Sequence, residues 1–246
     1  MDLFSHSVQR EALQPGDHIY SWRNAYIFAH HGIYVGDGKV IHFTGGRNIE
    51  ELAGCRSFSS ALTSSSIPGS TTFPCEICGT DAESRGVLKS CLDCFLSGFP
   101  LSRFEYGTSS ATFIAKLRGG TCTTAKSDPS ELVLHRANYL LSINGFGCYH
   151  VFRNNCEDFA IYCKTGLLAI DRNAIGSSGQ ATSFLGIILA VAGSISSCFS
   201  RSNFWGLVAS FGAYSMNRYM SDIGVRSDVE KVDVEDLAVN RSRQHA

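Results

Sequence analysis

Strand-like composition comes early in the chain and helical periodicity later. Residues 26–35 and 39–44 are rich in β-branched and aromatic side chains and read as two strands. Pro15-Gly16-Asp17-His18-Ile19-Tyr20 reads as a turn entering another strand, and Phe104-Glu105-Tyr106-Gly107 as a strand returning to the same sheet. A three-residue loop, Gly36-Asp37-Gly38, would pair Val35 with Lys39 and set His42 opposite Gly32, diagonal to His30. Strand side chains alternate, so His30, Gly32, His42 and Thr44 would then share one face. A two-residue loop would shift the register by one and send the histidines to opposite faces.

Further on, Ser127-Asp128-Pro129 marks the start of a helix over 130–143, with Leu132, Leu134, Ala137, Leu140 and Leu141 as its apolar stripe. A second helix spans 156–165, with Asn155 as N-cap and Gly166 just past its end. Cys156, Phe159, Ala160 and Cys163 fall on one apolar face of it, which aims Cys156 at the core. These patterns predict an α+β fold. An antiparallel sheet of four to six strands would be crossed by the Cys156 helix. No internal repeat is evident.

Composition narrows the class. The chain has 246 residues, 44% hydrophobic and 17% charged, with a formal net charge of −1. That is a folded chain with no compositional case for nucleic-acid binding. The start, Met1-Asp2-Leu3-Phe4-Ser5-His6, lacks the basic and apolar runs of a secretory signal. Its ten cysteines are therefore read as reduced thiols in a cytoplasmic setting rather than as a disulfide framework.

Three features carry candidate chemistry. Cys156 opens a helix, where the positive end of the macrodipole lowers a thiol pKa, although Glu157 and Asp158 push the other way. A histidine base must then supply much of the activation. His30 is placed to take the proton, His42 to orient it, and the first helical turn to offer N–H groups to an oxyanion. The competing reading is an ordinary buried thiol with two strand histidines. Second, Cys75-x-x-Cys78 and Cys91-x-x-Cys94 lie twelve residues apart within a Ser-rich segment, 47–110, that reads as an insertion. Such spacing resembles a closed tetrahedral Cys₄ zinc site, with free or redox thiols as the alternative. Third, no charge occurs from Asn173 to Ser200 or from Ser202 to Asn217. This stretch, 173–220, reads as membrane-associated helices or as two buried ones, followed by a polar tail over 221–246.

The motifs Pro15-Gly16-Asp17, His30-His31-Gly32-Ile33-Tyr34-Val35-Gly36-Asp37-Gly38, Val40-Ile41-His42 and Asn155-Cys156-Glu157-Asp158-Phe159 resemble the lecithin:retinol acyltransferase-like family. That family is a permuted branch of the papain-like NlpC/P60 thiol hydrolases. The resemblance covers roughly residues 10–170 and is closest to the plant NC-domain members. It implies Cys156 as nucleophile, His30 as base and His42 as supporting histidine. It implies a phospholipid or other acyl-lipid substrate, an acyl-cysteine intermediate, phospholipase A or acyltransferase activity at a membrane, and no catalytic cofactor. The chain departs from animal members at His31, where they often carry tryptophan, at Asp158, where they usually carry histidine, and in the Cys-rich segment. A catalytically silent membrane-associated scaffold is the alternative. Amide hydrolysis of the NlpC/P60 kind would require an open polar cleft.

Overall fold

The computed structural model describes residues 6–23, 28–46, 74–81, 83–116, 118–152, 154–169, 179 and 203–237. Five antiparallel strands form the main sheet: β1 (His18–Arg23), β2 (Phe28–Gly36), β3 (Lys39–Thr44), β4 (Gly86–Cys91) and β5 (Ser102–Arg103). Their order is β4-β3-β2-β1-β5. Residues 86–103, expected in a separate insertion, instead supply both edge strands. The returning strand falls at Ser102–Arg103, two residues before the expected Phe104–Gly107. The antiparallel α+β reading holds. The expected C-terminal apolar stretch, including residues 184–192, lies largely outside the described residues, as do Ser57–Ser60, Thr63–Ser66 and the end of the polar tail.

The hairpin reaches the expected histidine register by another route. Gly36 pairs with Lys39, so the loop has two residues, not three, and the register shifts between Tyr34 and Gly36. Positive φ at Asp37 (49°) and Gly38 (64°) is what a type I′ turn demands. Val35 is the extra residue of a bulge that absorbs the slip the shorter loop would cause. His42 therefore still faces Gly32.

Helices cover the sheet on both sides. Helices α1 (Leu92–Leu96) and α2 (Ser110–Ala115) are short. The longer α3 (Ser130–Ile143) and α4 (Cys156–Thr165) keep the bounds that periodicity predicts. On one face, Ile33, Ile41, Phe43 and Val87 of the strands pack with Val133, Ala137 and Leu140 of α3 and with Phe159, Ala160 and Cys163 of α4. On the other, Ile19 and Val40 pack with Leu92, Phe95 and Leu96 of α1. A two-stranded ribbon, β6 (Leu167–Ala169) with β7 (Val229–Lys231), follows α4, and α5 spans Asn203–Met220. Among the described residues no helix is long and apolar enough to cross a membrane.

Candidate active site

Helix α4 starts where it does because Asn155 caps it. Its side chain accepts from the N–H groups of Glu157 and Asp158, while Asp158 accepts from the Asn155 N–H. This is a capping box with an aspartate in the third position. Gly166, with φ 69°, closes the other end in the left-handed conformation expected of it. The cap fixes Cys156 as the first helical residue.

The Cys156 thiol is fully buried and lies against the backbone of β2. It donates to the Ala29 carbonyl at 3.6 Å, the His31 N–H points at it, and the Tyr149 hydroxyl donates to it at 3.9 Å. The thiol sits where the ladder ends: pairing of β2 with β3 begins at Gly32 and His42, and Cys156 lies against the stretch of β2 that precedes it. Tyr149 packs close beside Gly45, just past the end of β3. Burial pushes the thiol pKa up to about 12; the His31 N–H and Tyr149 hydroxyl pull it down, and Glu157 and Asp158 push it further up. The helix-terminus lowering expected from sequence is therefore outweighed by burial.

His30 and His42 do come together. His30 Nε2 lies 2.9 Å from His42 Nδ1, and His42 Nε2 lies 3.0 Å from Ser90 Oγ. Their rings meet edge to face and both contact Phe95 of α1. Burial lowers both pKa values, that of His42 to about 4, and the nearby Arg23 cation lowers each further. Arg23 is held by the carbonyls of Phe95 and Leu96 and by Ser21 Oγ. These imidazoles belong to the face that α1 covers, whereas α4 packs on the other. Among the described residues no hydrogen bond joins the Cys156 thiol to His30 or His42. The thiol instead touches the strand on both sides of residue 30.

Sequence reasoning missed Ser90, Tyr149 and Arg23. It also missed a second buried chain on the α4 side: His31 Nδ1 to His18 Nε2 at 2.8 Å, and His18 Nδ1 to the Tyr106 hydroxyl at 2.7 Å. His31 stacks on Tyr20, and its Nε2 is buried without a partner. Strand alternation carried the signal for this chain: with His30 and His42 on one face, His31 must take the opposite one. A cavity of about 70 Å³ lies beyond the first turn of α4, among Phe104, Phe113, Ile161, Glu157, Asp158 and Arg218. Among the described residues neither Cys156 nor any histidine lines it.

The four spaced cysteines also converge. The sulfurs of Cys75, Cys78, Cys91 and Cys94 all lie within 4.8 Å of one another, and Cys75 and Cys91 are 4.0 Å apart. A tetrahedron with Zn–S near 2.3 Å has sulfurs about 3.8 Å apart, so the set is positioned to bind a metal. The Cys94 N–H points at the Cys91 sulfur at 3.5 Å, and Gly79, with φ 70°, turns the first knuckle. Seven cysteines are free among the described residues, while Cys148 is disulfide-bonded, an exception to the all-reduced expectation.

The neutral state of Cys156 has a measurable consequence. With a pKa near 12 its thiolate fraction at pH 7 falls about 3000-fold below that of an ordinary cysteine, partly offset by greater thiolate nucleophilicity. Alkylation by iodoacetamide in the native protein is expected about 100-fold slower than for a free thiol, and tenfold faster per pH unit up to pH 10. A fast rate that levels off below pH 8 would show a pre-formed thiolate instead.

Comparison with known proteins gives two findings. The family model described as lecithin retinol acyltransferase matches residues 11–169. The chain is also 51% identical over 238 residues to Protein LEAD-SENSITIVE 1 of Arabidopsis thaliana, covering 96% of this chain and 90% of that protein.

Proposed function

Since the chain belongs to the lecithin retinol acyltransferase family, we propose that it transfers or hydrolyses acyl groups through a Cys156 thioester, with a phospholipid or other acyl lipid as donor. The observation that carries this reading is the seating of the capped Cys156 thiol against the strand that bears His30, itself hydrogen-bonded to His42. The name of the Arabidopsis relative states a sensitivity to lead and no activity, so it adds nothing to the chemistry.

In the tautomer that serves this mechanism, His42 Nε2–H donates to Ser90 and His30 Nε2–H donates to His42. This leaves the lone pair on His30 Nδ1. Pivoting about its hydrogen bond to His42, the imidazole would bring that nitrogen past the end of the β2–β3 ladder toward the thiol. His30 takes the thiol proton as the sulfur attacks the ester carbonyl. The carbon–oxygen bond breaks, and His30 returns the proton to the departing lysolipid oxygen. An alcohol, amine or water then attacks the thioester, giving its proton to His30 and regenerating the thiol. N–H groups at the start of α4 would stabilise the oxyanion in both steps. A strand-borne base preceding a thiol-bearing helix follows the permuted NlpC/P60 order.

The same proposal includes one structural Zn²⁺ on Cys75, Cys78, Cys91 and Cys94, four thiolates that leave no open position for catalysis. It also includes cytoplasmic membrane-surface action. Phe211, Met216 and Met220 expose apolar side chains on α5, the helix that follows the uncharged sequence Asn173–Ser200 along the chain.

A second reading is favoured by the complete burial of Cys156 and its lack of a base contact: a silent scaffold that keeps the fold. The two separate in one experiment. Incubation with acyl-labelled phosphatidylcholine vesicles and mass spectrometry of the Cys156 peptide is expected to show the acyl mass on the thiol. An unmodified Cys156, with no labelled fatty acid or transfer product released, supports the scaffold.

A further inference from the structure

We propose that the Cys75–Cys78–Cys91–Cys94 metal knuckle holds the His30–His42 pair in working geometry, with Ser90 and Phe95 as positioning residues. Metal occupancy then sets the rate of the thiol site. The consequence for rate rests on the acyl-cysteine reading above; the consequence for the histidines does not.

The argument starts from chain connectivity. Cys91 is both the last residue of β4 and the N-cap of α1, and Cys94 lies within α1. Ser90 immediately precedes Cys91, and Phe95 immediately follows Cys94. The two side chains that touch the histidine pair from this segment are thus each one residue from a cysteine of the cluster. Ser90 Oγ is the hydrogen-bond partner of His42 Nε2 at 3.0 Å. The Phe95 ring lies 5.1 Å from His30 and 5.6 Å from His42. A Cβ on Gly32 would stand 2.7 Å from Val40 Cγ1 and 3.0 Å from both the Ile41 carbonyl and Phe95 Cε2. Only glycine leaves that room.

A five-residue helix is far too short to persist alone. Apolar packing of Leu92, Phe95 and Leu96 contributes to holding α1. Its register against β3 is set by the Leu92 N–H on the Gly38 carbonyl and by the Cys91–Lys39 pairing. The other cysteine pair, Cys75 and Cys78 on the knuckle at 75–79, reaches this segment through the clustered sulfurs. A bound metal would tie the two segments with four bonds, neutralising thiolates that otherwise repel. The short helix transmits any shift to a third contact. Arg23, whose charge acts on both imidazoles, is fixed by the Phe95 and Leu96 carbonyls. Loss of the metal would therefore disturb the hydroxyl on His42, the ring over both histidines and the neighbouring cation together. It would leave the His18–His31 chain on the other face untouched.

The test uses the full chain purified with zinc, its content read by a chromogenic chelator. Long-range ¹H–¹⁵N spectra of the histidine rings report tautomer and environment, and acyl transfer from a p-nitrophenyl ester reports acyl-cysteine formation. Chelation is expected to move the His30 and His42 signals while His18 and His31 stay in place. Acylation should fall at least tenfold, and added zinc should reverse both effects. Ser90→Ala, with zinc retained, is expected to lower kcat about tenfold with KM unchanged and to shift the His42 signal; Ser90→Thr should restore both. Unmoved His30 and His42 signals after chelation, or a protein that takes up no zinc, would overturn the proposal. If chelation unfolds the chain, the Ser90 pair decides: a silent Ser90→Ala, unchanged in both spectrum and kcat, overturns it. If the zinc-bound protein forms no acyl-cysteine at all, the functional reading fails, and the histidine signals still judge the coupling.

Discussion

Cys156→Ala is expected to abolish both acyl transfer and acyl hydrolysis, by at least ~10⁴-fold in kcat, the loss typical of removing the nucleophile from a covalent mechanism. The fold should survive. The substitution removes only the sulfur, whose contacts are the His31 N–H and long ones to the Ala29 carbonyl and the Tyr149 hydroxyl, and the capping box that starts α4 is untouched. His30→Ala should lose nearly as much, and the double variant little more, because members of one catalytic unit are not additive. His42→Asn should lose less, about 10²-fold, since its role is to fix the tautomer of His30 through the 2.9 Å hydrogen bond. Steady-state turnover of phosphatidylcholine, with circular dichroism on each variant, measures the series. Wild-type turnover in Cys156→Ala would sink the thiol mechanism.

Acid is expected to destabilise this protein well above the carboxylate range. Burial lowers His31 to about 3 and His42 to about 4, and lowers His18 and His30 as well. In the unfolded chain each histidine titrates near 6.5. Between that value and the folded one the unfolded state binds more protons, so stability is full above pH 6.5 and is lost as pH falls through the window. At pH 5, His31 and His42 each account for about 2 kcal/mol of lost stability at 1.36 kcal/mol per pKa unit. His18 and His30 act in the same direction. Against a typical net stability of about 5–15 kcal/mol this is a large fraction. Urea midpoints at pH 7.5, 6 and 5 should fall steadily. His31→Phe, which keeps the stack on Tyr20, should flatten part of the slope. A midpoint unchanged from pH 7.5 to 5 would mean these histidines stay solvated.

The local elements were legible in the sequence because short-range chemistry decides them. Asn155 and Gly166 bracket α4, and periodicity with Pro129 delimits α3. The shared face of His30 and His42 was legible too, since alternation is a local rule, although the bulge at Val35 that rescues the register was not. A bulge depends on how two strands twist against each other. Cysteine spacing named the four thiols, but only the pairing of β4 with β3 and the turn at Gly79 bring their sulfurs together. Local sequence gave no warning that residues 86–103 would close both edges of the sheet. Pairings between strands far apart in the chain are set by burial of whole faces. Which face each helix covers was likewise decided by tertiary packing. That choice set Phe95 and Ser90 against the histidine pair and left Cys156 against the start of β2, where burial outweighs the helix terminus and keeps the thiol neutral.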